Sequence, residues 1–396
     1  MATRVVILIL GVICGISSSV IPFDDSDVGL NTVEIIENHG YVCENHYITT
    51  EDGYILTYQR IPHGKNDDGS GKKPAILLMH GLASSSADYV NMGPNRSISY
   101  ILADIGYDVW IGNSRGNAWS RNHTTLDVVT DNEQFYDFSW HQIGYYDLPA
   151  AVDYILSVNG GDGLQYVGHS QGCTSFLVFA STRPEYNDKI KLASLMGPAS
   201  IMEYHPNEIL QVISNYIYDI EKLLKKYKIF ELPLIEKLRE IALSVCTNPE
   251  NWDLCGVLFD FVGHDEAQFD TSLLPVLFTN LPSNFGFKQV LHYGQQIKNG
   301  GFSQYDFGRE KNMEIYGAEK PPAYDLTKIT APVAVYYGKN DGLVNYMDVK
   351  TVISMLSNVA NDYLIPHEAF NHIDFITATD VVDLLYVEMI QVMQKY

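Results

Sequence analysis

Apolar positions along this chain fall into two textures that occupy different stretches. Residues 55–61, 75–79, 107–111, 164–167 and 192–196 are short runs of aliphatic, β-branched and aromatic side chains, the pattern of strands. Between them, residues 146–157 and 171–180 carry apolar positions at helical spacing. This alternation predicts an α/β fold with a mostly parallel central sheet and helices on both faces. Ligands in such folds bind beyond the carboxyl ends of the strands. From about 201 to 308 the strand signals fade, and 209–227 and 234–245 read as helices rich in Leu, Ile, Tyr and Lys. A buried strand returns at 332–338 and another at 363–365, with amphipathic helices over 344–356 and 381–395. The expected organisation is an α/β core whose first part is 20–200, an inserted helical cap with a lid at 201–308, and a second core part at 309–396.

Composition narrows the class. Of 396 residues, 46% are hydrophobic and 19% charged, so a core of ordinary size is available and disorder is not expected. Residues 1–19 read as a signal peptide. Arg4 supplies the positive end, 5–16 is apolar, and Ser17, Ser18 and Ser19 precede a cleavage point near Ser19 or Val20. The run is shorter than the roughly 20 residues a membrane-spanning helix needs, and no later stretch is long enough, so no transmembrane segment is expected. A net charge of −22 repels nucleic acid and excludes it as a partner. The sequons at Asn95 and Asn122 fit glycosylation on the secretory route. The expected destination is extracellular, with the lysosome as the alternative. Outside Cys14, four cysteines remain, Cys43, Cys173, Cys246 and Cys255, too few for a disulfide framework. Cys246 and Cys255 are close enough in sequence to clip one loop. No spacing resembles a zinc site; no metal or cofactor is expected, and the expected state is a monomer.

The chemistry centres on Gly168-His169-Ser170-Gln171-Gly172. With 30 glycines in the chain, such a string arises easily by chance. Its setting gives it meaning: an apolar strand precedes it and a helix-compatible run follows, as a nucleophile elbow requires. A serine hydroxyl needs a base, and folds of this type supply an acid and then a histidine later in the chain. Asp341 follows the strand at 332–338 and His372 follows the strand at 363–365. In that order His372 is the candidate general base and Asp341 its orienter. Asp362 and Asp374 are rival acids and His367 a rival base. An ester hydrolase also needs donors for a tetrahedral oxyanion. The backbone N–H of Gln171 is one candidate. The N–H of Leu82, in His80-Gly81-Leu82 after the strand at 75–79, is the other.

Together these pieces resemble the acid lipase family of α/β-hydrolases, which includes gastric, lysosomal and insect digestive lipases. The resemblance covers roughly residues 31–396. Its markers are Thr50-Glu51-Asp52-Gly53-Tyr54-Ile55-Leu56, His80-Gly81-Leu82, Gly112-Asn113-Ser114-Arg115-Gly116-Asn117, Tyr146-Asp147-Leu148-Pro149-Ala150, the Ser170 pentapeptide, Asn340-Asp341 and Asn371-His372-Ile373-Asp374-Phe375-Ile376. The likeness implies Ser170, Asp341 and His372 as triad, Leu82 and Gln171 as oxyanion donors, and a cap disulfide between Cys246 and Cys255. It also implies an acyl-binding tunnel under a mobile lid near 227–238. In the cap, Leu281-Pro282-Ser283-Asn284-Phe285 departs from the family pattern.

The expected function is a secreted lipase acting at a lipid–water interface on neutral lipid esters of the triacylglycerol type, through an acyl-enzyme. A sterol-ester hydrolase or carboxylesterase is the alternative within the class. Outside it stand an acyltransferase and a non-catalytic lipid-binding or storage protein on a lipase scaffold.

Overall fold

The computed structural model describes residues 26–260 and 262–396; the expected signal segment and Cys14 lie outside the described residues. The core is a mixed sheet of β1 (Glu44–Thr49), β2 (Tyr54–Ile61), β3 (Ala75–Met79), β4 (Asp108–Ile111), β5 (Asn122–His123), β6 (Leu164–His169), β7 (Ile190–Met196), β8 (Val333–Tyr337) and β9 (Val359–Leu364). The strand order is β1-β2-β4-β3-β6-β7-β8-β9, with β5 paired to β2. β2 runs antiparallel to β1, β4 and β5. All pairs from β4 to β9 are parallel.

Every residue of β3, β6 and β8 is buried, because these central strands are covered on both faces. The period-two alternation of a strand divides them between two cores. Leu77, Met79, Trp110, Tyr166, Leu195 and Val335 face one; Ile76, Leu78, Val109, Val167, Met196 and Ala334 face the other. Helices Leu148–Asn159 and Gln171–Thr182 cover the first face. Ile98–Asp104 and the carboxyl-terminal Val387–Met393 cover the second.

Between β7 and β8 the chain is helical: Glu208–Ser214, Ile217–Lys226, Ile235–Cys246, Trp252–Asp260, Leu274–Asn280, Phe287–Asn299 and Arg309–Tyr316. The single helix expected at 209–227 is two. Ser214 and Asn215 turn their side chains back onto the Gln211 carbonyl, the local competition that makes such residues poor in helix interiors. Cys246 and Cys255 form a disulfide that joins Ile235–Cys246 to Trp252–Asp260. Cys43 and Cys173 are free thiols. Among the described residues no helix is long and apolar enough to cross a membrane.

Candidate active site

Ser170 occupies the turn between β6 and helix Gln171–Thr182 with φ 52° and ψ −113°, a conformation that costs a residue with a side chain about 1–3 kcal/mol. The flanking glycines make the turn possible. A Cβ on Gly168 would stand 2.7 Å from the Gly172 carbonyl carbon, and one on Gly172 only 2.2 Å from the Met79 oxygen. The helix therefore starts hard against the end of β3, which brings the loop after β3 beside the serine. A Cβ on Gly81 would lie 3.3 Å from Ser170 Cβ.

His372 Nε2 is 2.8 Å from Ser170 Oγ. Its Nδ1 is 2.9 Å from Asp341 Oδ2 and 3.0 Å from Oδ1. Both His372 and Asp341 are buried. Asp341 Oδ1 also accepts the N–H groups of Leu343 at 2.9 Å and Val344 at 2.8 Å, which fixes the carboxylate without using the oxygen nearest the imidazole. The structure thus brings Ser170, His372 and Asp341 into one hydrogen-bonded line. It does not bring the rivals there. Asp362 takes Tyr337 Oη and Lys350 Nζ, His367 pairs with Asp265 at 2.6 Å, and Asp374 accepts the N–H groups of Asn371 and Asp265.

Several neighbours carry no obvious signal in the sequence. Asn371 Oδ1 accepts from the N–H groups of both His372 (2.8 Å) and Gly342 (2.7 Å), tying the two site loops together. Gly197, at φ 58°, closes β7 beneath the pair; a Cβ there would crowd Phe375 at 3.1 Å and sit 3.4 Å from Asp341 Oδ2. Burial pushes His169 down to about 3, so the ring is neutral, and its Nε2–H donates to the His372 carbonyl at 3.0 Å. Gln171 Nε2 donates to Gln289 Oε1 at 2.7 Å, and the Ser283 N–H donates to the Ala83 carbonyl at 2.7 Å. The helical stretch therefore packs directly on the site loops. Of these, His169, Gln171 and Asn371 stood within quoted motifs, but the contacts of their side chains were not foreseen.

The loop Gly81–Leu82 is held from below. Burial lowers His80 to about 4. The neutral ring donates from Nδ1 to the Gly81 carbonyl at 2.7 Å and accepts at Nε2 from the Ser114 N–H and Asn117 Nδ2, each at 3.2 Å. The segment bearing Ser114 and Asn117 is anchored by buried Arg115, which forks onto Asp52 at 2.6 and 2.8 Å and onto Asp147 at 2.8 Å. Its guanidinium also lies 4.0 Å from the Tyr54 ring centroid. Asp147 is pushed up to about 6 by burial, against the pull of Arg115. Motif residues far apart in sequence are thus one support. Among the described residues, the backbone N–H groups of Leu82 and Gln171 donate to nothing else in the protein. Asn95 and Asn122 are exposed. Cys173 is buried, and burial raises its thiol far out of the reactive range.

A mostly parallel sheet, a serine elbow and a following acid and histidine define an α/β-hydrolase, and comparison with known proteins agrees. The family profile described as "Partial alpha/beta-hydrolase lipase region" matches residues 32–93, and that described as "alpha/beta hydrolase fold" matches 74–218. The chain is 42% identical to Lipase 1 of Drosophila melanogaster over 93% of its own length and 81% of that protein. It is 36% identical to the gastric triacylglycerol lipase of Rattus norvegicus over 93% of each chain. It is also 36% identical to the human lysosomal acid lipase/cholesteryl ester hydrolase over 94% of its own length and 92% of that protein. A solved monoglyceride lipase of Saccharomyces cerevisiae shares the fold at 18% identity, with a TM-score of 0.51 over 89% of this chain and 96% of that one. The chain belongs to the acid lipase family and is a carboxylic ester hydrolase.

Proposed function

We propose that this protein is a secreted lipase cleaving neutral lipid esters of the triacylglycerol type, with Ser170 as nucleophile. The hydrogen-bonded line Ser170–His372–Asp341 carries this reading. His372 takes the hydroxyl proton as Ser170 Oγ adds to the ester carbonyl. The negative charge on the former carbonyl oxygen is received by the Leu82 and Gln171 N–H groups. His372 then hands the proton to the alcohol oxygen as the C–O bond breaks, leaving an acyl-enzyme. Water, deprotonated by the same imidazole, releases the fatty acid and restores Ser170. Asp341 keeps the imidazole in the tautomer that presents a bare Nε2 and stabilises its protonated form.

The substrate class rests on the relatives, whose names specify triacylglycerol and cholesteryl ester, and on the helical stretch. There Ile209, Val212, Tyr216, Leu223, Tyr227, Leu234 and Leu238 are exposed, a surface suited to a lipid–water interface. We assign this stretch, about 201–308, as the cap and the segment near 227–238 as its lid. The secretory route is supported by the leader-like residues 1–19 and the exposed sequons. Lysosomal delivery is the alternative, since one relative is named lysosomal.

The test is hydrolysis of long-chain triacylglycerol, sterol ester and a short soluble ester by the mature chain and its Ser170→Ala variant. Ser170-dependent release of long-chain acid is expected. Absence of Ser170-dependent hydrolysis of any of the three sinks the proposal, and activity confined to the short ester demotes it to a carboxylesterase. Amino-terminal sequencing of the exported chain, expected to start near Val20, tests the route.

A further inference from the structure

The Leu82 N–H serves an oxyanion only if the turn that carries it is held still. Leu82 and Ala83 form that turn, and Ala83 has φ 58°. This is the left-handed region, where a Cβ is strained and glycine is free. An alanine stays there only when its surroundings hold it.

Two hydrogen bonds bracket the turn. On its amino-terminal side, His80 Nδ1 donates to the Gly81 carbonyl at 2.7 Å. That carbonyl and the Leu82 N–H share one trans peptide plane and point in opposite directions. On its carboxyl-terminal side, the Ala83 carbonyl accepts the Ser283 N–H at 2.7 Å. Ser283 lies in the segment between helices Leu274–Asn280 and Phe287–Asn299 and is fully buried. Its side chain is used as well: Oγ accepts the Ala118 N–H at 3.0 Å. Ala118 follows Asn117, whose amide reaches His80 Nε2 at 3.2 Å. One residue of the helical stretch therefore joins the oxyanion loop to the loop that supports it from below. It sits in Leu281–Phe285, where this chain departs from the family pattern.

We propose that Ser283 is a positioning residue for the ester hydrolysis: it donates its N–H to Ala83, receives the Ala118 N–H at Oγ, and so holds the left-handed turn that aims the Leu82 N–H at the oxyanion. This rests on the roles given above to Ser170 and Leu82. Ser283 touches no reacting atom and acts through Ala83. Its effect falls on the transition state, where the carbonyl oxygen becomes negative, and not on the neutral ester. It therefore acts on kcat and leaves KM unchanged. Outright loss of an oxyanion donor lowers kcat about 10²–10³-fold. Loss of one hydrogen bond that steadies the donor lowers it about fivefold. The strain at Ala83 supplies a second readout. With Ala83→Gly the left-handed turn is unstrained, so Ser283 is needed less and the two sites are coupled.

The experiment measures kcat and KM of the full chain on a short soluble ester for the native protein, Ser283→Ala, Ala83→Gly and the double variant, with melting temperatures alongside. In Ser283→Ala, kcat is expected to fall about fivefold at unchanged KM. The fall should shrink to less than about twofold when Ala83→Gly is also present. A native kcat in Ser283→Ala overturns the proposal even if the melting temperature drops, because Ser283 would then serve stability alone. A rise in KM at native kcat overturns it too, as does a fall in kcat of the same size with and without Ala83→Gly. If Ser283→Ala does not fold, Ser283→Cys keeps nearly the same size and offers only a weak sulfur acceptor. A lowered kcat at unchanged KM then supports the proposal, and a native kcat overturns it. A Ser170→Ala protein with native turnover would instead overturn the catalytic reading beneath, so the two failures are distinct.

Discussion

Ser170 rises from a strand whose six residues are all buried, between glycines that admit no Cβ, and the imidazole bonded to it is itself bonded to a carboxylate that two backbone N–H groups hold in place. In the helical stretch that packs on the same loops, Leu234 leaves 75% of its surface exposed and Tyr227 62%. One region fixes a few polar atoms through hydrogen bonds among mostly buried groups. The other keeps apolar side chains in water, at a cost in solubility that a soluble domain ordinarily avoids. On the proposed function the contrast separates two tasks, bond cleavage in a fixed geometry and delivery of a substrate that does not dissolve.

If that division holds, the largest effects belong to the fixed region. Asp341→Asn removes the carboxylate that orients His372, and kcat is expected to fall on the order of 10⁴-fold on every ester, soluble or emulsified. A loss seen with emulsified substrate alone would break the comparison, because the triad would then matter only for access. Next comes Gly172→Ala. Its methyl would meet the Met79 carbonyl oxygen at 2.2 Å, a backbone atom that cannot step aside, and about 3 kcal/mol of stability should be lost. The check is a urea-melt midpoint at neutral pH; an unshifted midpoint would show that the elbow and β3 tolerate separation.

Removing the disulfide of the helical stretch is the third effect in size. Cys246→Ser with Cys255→Ser frees a loop of nine residues' separation, worth about 2.7 kcal/mol by loop-closure entropy. The cost should fall on the helical stretch alone: amide exchange in Ile235–Cys246 and Trp252–Asp260 speeds up, while β3 and β6 stay protected. Exchange rising equally in the sheet would mean that the helical stretch and the sheet unfold as one unit.

The two regions also differ in how far the sequence exposes them. β3 and β8 are continuous apolar runs and β6 is mostly apolar, because both faces of these strands are covered, and the Ser170 turn between β6 and its helix was legible for that reason. Asp341 and His372 were legible as the polar residues that follow strands. β1 was missed, and only the end of β9 was seen. Both are edge strands with half-exposed or exposed polar positions such as Glu44, Asn45, Asn361 and Asp362, so alternation there is weak. Gly197 and Gln289 gave no signal, since the need for each arises only when strands and helices distant in sequence meet. The pairing of Arg115 with Asp52 and Asp147 is of the same kind. The motifs were visible, but their convergence beneath His80 is a fact of topology.

The helical stretch was harder for a further reason. Ile209, Val212, Ile213 and Tyr216 are spaced as one helical stripe, and so are Leu234, Leu238 and Ile241. Such stripes ordinarily face a core, yet all seven side chains are exposed. Sequence periodicity reports that a stripe exists and is silent on what covers it. On the proposed function the cover is the lipid surface, which makes the stripe a test of the comparison at its weakest expected effect. Replacing Leu234, Leu238 and Ile241 together by Gln removes exposed apolar area without touching the buried core. Hydrolysis of emulsified long-chain triacylglycerol should fall roughly tenfold, the loss expected when about 1.4 kcal/mol of apolar contact with the interface is removed. Turnover of a short soluble ester should stay within about twofold and the melting temperature should hold, because surface changes away from packed features usually shift stability by less than about 0.5 kcal/mol. Equal losses on both substrates would show that the stripe shapes the site itself, and the line drawn between fixed chemistry and exposed delivery would have to move into the cap.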